Sequence, residues 1–288
     1  MTPAQLSDAF VGALRDLVEV DAVALPDGVP DRVVVQRPRG REHGDYASNV
    51  ALQLAGPAGR TPRELAGLLA ARLESTSGVE AVEVSGPGFL NVRLAADASG
   101  EVATRVVAAG PSYGGGADVM GSVAVPEELV RRIGVDAARY ASARHGTDGV
   151  RDLDRWSRAS TDNPVYDVQL AHARTASILR NAAALGVAPA DHPALLAHEP
   201  ERDLLLALAD FPHVAATAAA RSEPHRVTRY LEHTASAFHR FCDAYRVLPV
   251  GDEEPTVEHR ARLLLVAATR VVLANGLDLL GVSAPERM

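Results

Sequence analysis

Two short stretches hold side chains whose types and spacing could do chemistry. The first, Gln36 to Asn49, reads QRPRGREHGDYASN and sets Arg37, Arg39 and Arg41 beside His43, Asp45 and two glycines. Pro38 keeps the chain extended, and Gly40 and Gly44 permit tight turns. The three guanidinium forks could then meet phosphate oxygens. The same spacing equally suits a solvated loop with local ion pairs to Glu42 and Asp45, and the residues alone do not choose. The second stretch, GPGFLN, ends on Phe89 and Asn91. Two apart on a strand, they share one face. An aromatic plus an amide can read one splayed-out RNA base, as stacking platform and edge contact. A core phenylalanine after a turn is the plainer reading, and from the residues alone it is preferred.

Other chemistries find less support. No serine sits in a GxSxG elbow. Cys242, the one cysteine, falls in the helical pattern FHRFCDAYRVL, where a packed thiol is expected rather than a nucleophile. The ten histidines form neither HExxH nor any i, i+4 pair, so no metal site is expected. All 29 basic residues are arginine, which excludes a lysine-bearing phosphate loop and any Schiff base. GPSYGGGADVMG has glycines but neither a preceding strand nor a clear following helix, and reads as a linker. These considerations predict no catalytic residues, no cofactor and no metal.

The elements that must position these groups follow from periodicity. Apolar spacing predicts a helix over 4–19, and Thr61-Pro62-Arg63-Glu64 starts another running to Leu73. Strands are predicted over 32–36, 79–84 and 89–94, the last two joined by the turn Ser85–Gly88, and a helix over 98–108. Beyond Pro126 helical patterns dominate: 127–144, 164–185, 200–209, 211–222, 224–247 and 256–280. The expected fold is an α+β N-terminal domain, a small antiparallel sheet with helices, joined to an all-α helical bundle. The boundaries fall at 1–110, a linker over 111–126, and 127–288. A 47% hydrophobic chain can bury such cores, and its formal charge of -8 argues against coating nucleic acid by bulk electrostatics. With no basic, apolar leader and no uninterrupted apolar span, a cytoplasmic protein without a membrane partner is expected.

At this point a family resemblance is legible. RPRGREHGDYASNVALQLA, TPRELAGLLAARL and VSGPGFLNVRL resemble the N-terminal additional domain of arginyl-tRNA synthetases. VRRIGVDAARY, NPVYDVQLAHARTASILR, AFHRFCDAYRVL and the terminal ARLLLVAATRVVLANGLDLLGVSAPERM resemble the family's DALR anticodon-binding domain. Between these domains the family carries a catalytic Rossmann domain with a HIGH-type motif and a KMSKS-type lysine loop. Here residues 110–126 stand in that place, too few for a nucleotide-binding domain.

The resemblance implies a non-catalytic relative that binds tRNA, arginine-type first, or a tRNA-like RNA. By it, Phe89 and Asn91 occupy the positions that read a D-loop base, which reverses the preference for a core phenylalanine. Arg37, Arg39, Arg41, His43 and Asn49 lie in the matching RPxxxxHGDYATN segment, with the arginines toward the sugar-phosphate backbone and Asp45 and Tyr46 fixing the turn. In the helical half Tyr166, Gln169, His172 and Arg174 match the family's NPxxYxQYAHAR pattern. Asp167 and Leu170 replace its two tyrosines, which implies weakened or altered anticodon reading. Cys242 and Tyr245 exchange places relative to the family's FYxxCRVL. The alternative is a protein-interaction scaffold, with a protein partner in place of RNA.

Overall fold

The computed structural model describes residues 1–288 except Arg39, Ser122, Thr147 and Asp148, and the side chain of Arg41 is likewise undescribed. The chain divides into two compact units, Met1–Ser99 and Gly100–Met288. The division falls before the expected domain end at 110.

The first unit opens with α1 (Pro3–Glu19). Thr2 and Gln5 form a reciprocal capping box in front of Pro3, satisfying N–H groups the first turn leaves orphaned. The strand β1 (Tyr46–Ser48) leads into α2 (Val50–Leu54). Next comes α3 (Pro62–Leu73), started by a second capping box of Thr61 and Glu64 where the sequence predicts it. The strands β2 (Val79–Ser85) and β3 (Phe89–Leu94) follow, and the antiparallel sheet has the order β1-β3-β2. One sheet face is apolar: Val82, Leu90, Val92 and Leu94 are buried, as are Leu6, Phe10 and Leu14 of α1 and Leu65, Leu69 and Leu73 of α3.

The predicted strand over 32–36 does not form. Only Gln36 bridges Ala47, in both directions at 3.0 and 2.8 Å. The β-branched run instead inserts Val33 and Val35 into the core, and side chains satisfy its backbone. Val33 N donates to Ser7 Oγ at 3.0 Å, and Ser48 Oγ donates to Val34 O at 2.9 Å. Local side-chain bonds here replace a ladder.

The helix α4 (Ala96–Ala109) crosses the division, with Val102, Ala103 and Val106 in the core of the second unit. That unit continues with α5 (Glu127–Ile133), α6 (Val135–His145), α7 (Leu153–Ser157), α8 (Pro164–Ala184), α9 (Glu199–Arg221), α10 (His225–Ala244) and α11 (Val257–Leu279). The single helix expected over 127–144 is split because Gly134 adopts φ +85°, which terminates α5. Conversely, the two stretches expected over 200–209 and 211–222 are one helix with Pro212 inside it. Proline removes the N–H that would bond to Leu208 O, four residues back. Tyr113 Oη donates to that carbonyl instead, at 3.1 Å. By length and apolar composition α9 could cross a membrane, yet half of its most apolar window is buried in the bundle.

Tyr113 belongs to the glycine-rich stretch read above as a linker. Its ring stacks on Phe211 with centroids 6.4 Å apart, and Asn275 Nδ2 donates to Gly110 O at 3.0 Å and to Tyr113 O at 2.9 Å. The stretch is therefore built into the helical unit.

A buried charge ties α9 to α11. Glu201, 1% exposed, accepts from Arg262 Nε at 2.8 Å and from His198 N at 3.1 Å, and the Arg262 guanidinium lies 4.4 Å from the Tyr245 ring centroid. Truncating Glu201 leaves the part-buried Arg262 guanidinium without its carboxylate and His198 N without its acceptor. Glu201→Ala should lower the unfolding free energy by about 1–3 kcal/mol, measured by urea denaturation.

Candidate nucleic-acid interface

The arginine-rich stretch reaches the sheet through a turn that only glycine can make. Gly44 has φ +83°, and a Cβ there would lie 2.8 Å from Val92 O. That close approach lets Asp45 N donate to Val92 O at 2.9 Å while Asp45 Oδ2 accepts from Leu94 N at 2.8 Å. Tyr46 follows into the core, 1% exposed. The turn thus sends Tyr46 inward and leaves His43 outward, with half its side chain exposed and Nε2 3.6 Å from Glu42. Arg37 is half-buried. Arg39 and the side chain of Arg41 lie outside the described residues. Asn49 is half-buried ahead of α2, and its carbonyl accepts from Leu52 N at 3.0 Å.

The second turn is pinned as firmly. Gly88 has φ +147°, and a Cβ would meet Pro62 O at 2.8 Å, so the loop lies directly against the start of α3. Phe89 emerges from this turn 41% exposed. Asn91 is buried in a shallow hollow, with Nδ2 donating to Ser85 Oγ at 3.1 Å. The hollow, about 220 Å³, is lined also by Glu42, His43, Gly44, Glu80, Ala81, Glu83 and Arg93. His43 and Asn91, distant in sequence, therefore share one depression.

Sequence reasoning missed the acids. Glu80 is the extra residue of a β-bulge, since Val79 pairs with Leu94 and Ala81 with Arg93. Glu83 was countable: with Ser85 opposite Phe89, two steps back and two forward place Glu83 opposite Asn91.

In the helical unit the four matching residues divide. Tyr166 and Gln169 border a groove of about 360 Å³ with Trp156 and Asn163. Gln169 Nε2 donates to Asp136 Oδ2 at 2.8 Å and to Ser283 O at 3.0 Å. His172 is buried, its Nδ1 2.8 Å from Pro285 O, and burial holds its pKa below the ordinary histidine value. Arg174 lines a larger groove, about 670 Å³, with Leu170, Arg180 and Asp243, the last 3.9 Å from Arg174. Asp167, one of the two residues standing where the resembling pattern has tyrosines, lies 3.4 Å from His239 Nε2 in the same groove. Burial pushes the Cys242 thiol up to about 11, so it stays protonated at neutral pH. Among the described residues no three metal-ligating side chains are grouped to hold an ion.

Two family models match the chain. The arginyl tRNA synthetase N terminal domain matches residues 4–94, which carry the Phe89 face, and the DALR anticodon binding domain matches residues 168–288. By these domains the chain belongs to the arginyl-tRNA synthetase family. No catalytic domain of the family is detected beside them. Among solved structures, the Thermus thermophilus arginyl-tRNA synthetase is 28% identical over 65% of this chain and 32% of its own, with a TM-score of 0.45. The Plasmodium falciparum enzyme is 20% identical over 56% of this chain and 28% of its own, also with a TM-score of 0.45. The chain thus spans about a third of the length of these synthetases.

Two outcomes follow for the residues of this family match. Phe89→Ala should change the unfolding free energy by less than about 1 kcal/mol, against the roughly 3–5 kcal/mol of a buried phenylalanine such as Phe10; paired urea melts of both variants decide it. Because folding depresses the His172 pKa, the unfolded chain binds that proton more readily. Stability is therefore full above about pH 6.5 and declines as pH falls from there toward the lower folded value. His172→Gln should flatten that decline in melts run between pH 7.5 and 5.

Proposed function

We propose that this protein binds tRNA, arginine-type first, or a tRNA-like RNA, and that it does not aminoacylate by itself. The carrying observation is an exposed phenylalanine held by a rigid turn beside a recessed asparagine. Partly exposed aromatics on a polar sheet face are poor core residues and good platforms for an unstacked base. Phe89 stacks a base of the D-loop, Asn91 meets its edge, and Arg37, Arg39, Arg41, His43 and Asn49 hold the neighbouring sugar-phosphate backbone.

The non-catalytic reading rests on chemistry. With no lysine in the chain there is no lysine loop to meet the phosphates of ATP, and neither His43-Gly44 nor His145-Gly146 stands in a HIGH-type context. The protein is assigned to the cytoplasm.

In the helical half, Tyr166, Gln169 and Arg174 are a second RNA contact of lesser weight, while His172, buried against Pro285, can act only by holding their helix. Gln169 and His172 are already bonded to the segment 283–285, which lessens the weight of an RNA contact there. A protein partner there is the second reading.

Gel-shift titration with total tRNA tests the proposal. Binding at micromolar protein that weakens as salt rises is expected. Phe89→Ala should weaken it about fivefold or more, the low end of a lost base stack. Salt-insensitive retention, or a Phe89→Ala titration that overlays the parent, would sink the reading.

A further inference from the structure

The helical unit carries a stretch where the charge of the chain reverses. Between Phe211 and Cys242 stand Arg221, Arg226, Arg229 and Arg240 against only Glu223 and Glu232. Both glutamates are engaged: Glu223 accepts from Arg226 Nε, and Glu232 accepts from Arg144 at 2.7 and 2.9 Å. Arg221, Arg229 and Arg240 are exposed, and among the described residues they make no hydrogen bond or ion pair.

Helical period sorts these groups. One side of α10 buries Val227, Leu231, Thr234 and Phe238. His225, Arg229, His233, Ser236 and Arg240 follow one another at three- and four-residue steps, so they form a single ridge on the other side. Arg229 and Arg240 stand about 16 Å apart along it. Arg221 ends α9, just before α10 begins. Asp243, one turn beyond Arg240, lies 3.9 Å from Arg174. The field is felt at the end of α6. There His145 is held below the ordinary histidine value first by burial, then by Arg144, against the pull of Glu232, with Arg155 and Arg229 adding.

Like charges on one helix face repel, and this face leaves them open although acids outnumber arginines in the chain by 37 to 29. A polyanion relieves that repulsion. Guanidinium forks match phosphate oxygens in shape and charge. The ridge has no Phe, Tyr or Trp to stack a base, so its contact is with backbone rather than sequence. The α8 groove offers the opposite field, since Arg174 shares it with Asp167, Asp243 and Glu286.

We propose that the α10 ridge, centred on Arg229 and Arg240, is where the helical unit grips an RNA sugar-phosphate backbone, without regard to sequence. The inference rests on the RNA reading proposed above and adds α10 as the heavier contact of this half.

Filter binding with total tRNA at 50 and 200 mM salt tests it. Each phosphate contact makes binding weaken about threefold more over that range. Arg229→Ala/Arg240→Ala should bind at least tenfold more weakly than the parent at 50 mM, and the gap should narrow about tenfold at 200 mM. Arg229→Lys/Arg240→Lys keeps the charge and should stay within about threefold of the parent. Arg15→Ala/Arg72→Ala removes the same charge from the N-terminal unit and should stay within about twofold. All four arginines are exposed, so the melts should overlay. An α10 alanine pair that tracks the parent at both salts, while Phe89→Ala still weakens binding, overturns this inference alone. So does an equal loss in the Arg15/Arg72 pair, which makes the effect one of net charge. A parent protein that retains no tRNA at either salt overturns the underlying RNA reading as well.

Discussion

The contact between the Gly44 backbone and the Val92 carbonyl is the constraint on which the candidate site depends. A Cβ at Gly44 would lie 2.8 Å from that oxygen, a distance side chains do not tolerate. Because the backbone can come so near, Asp45 engages two positions of β3 at once, donating its amide to Val92 O and accepting with its carboxylate from Leu94 N. Those bonds hold β1 beside β3 and make β3 the central strand. A central strand has its backbone fully paired, so its outward side chains sit on a rigid base. Phe89 and Asn91 are presented from that strand, and His43 is carried over Asn91 by the same turn. Binding constellations on strands held by such contacts are better defined than those on loops.

The helical unit is organised around a different defect. Pro212 deletes one backbone donor from α9, leaving Leu208 O to be satisfied elsewhere. Tyr113 supplies the hydroxyl and stacks on Phe211, while Asn275 of α11 holds the Tyr113 and Gly110 carbonyls. One missing N–H is thus compensated by a loop and a second helix. Gly114 next to it has φ +62°, and a Cβ would meet the Phe211 ring at 2.7 Å, which accounts for a glycine at that place. The glycines that suggest flexibility in sequence are here conditions for tight packing.

That difference marks where sequence reasoning reaches and where it stops. The helices over 3–19 and 62–73 and the hairpin 79–94 were legible because caps, proline and a turn signal agree with the apolar period. The 32–36 run was misread, since β-branched residues favour any half-buried extended chain and only the ladder distinguishes a strand. Gly134 and Pro212 were misread in opposite senses, because tertiary partners decide whether a breaker breaks. At the site, Phe89 and Asn91 were visible as a pair but not as exposed ring and recessed amide. The exchange of Cys242 and Tyr245 also becomes intelligible only in space: Tyr245 lies under Arg262 and beside His198, and the smaller thiol is packed against the core.

The charge of the chain then bears on how such a site works. A body with formal charge -8 and no lysine draws little RNA by long-range attraction. The hollow at Asn91 is lined by three glutamates against one arginine and one histidine, so the local field does not reverse the global one. Affinity for RNA on such a surface would have to come from short-range terms, from stacking and from donors that meet acceptors. Short-range terms act only at contact distance, so they discriminate among bases where diffuse positive charge does not. An acidic surface of this kind gains little from diffuse attraction to a polyanion, so any selectivity it has must be set by the placement of single side chains.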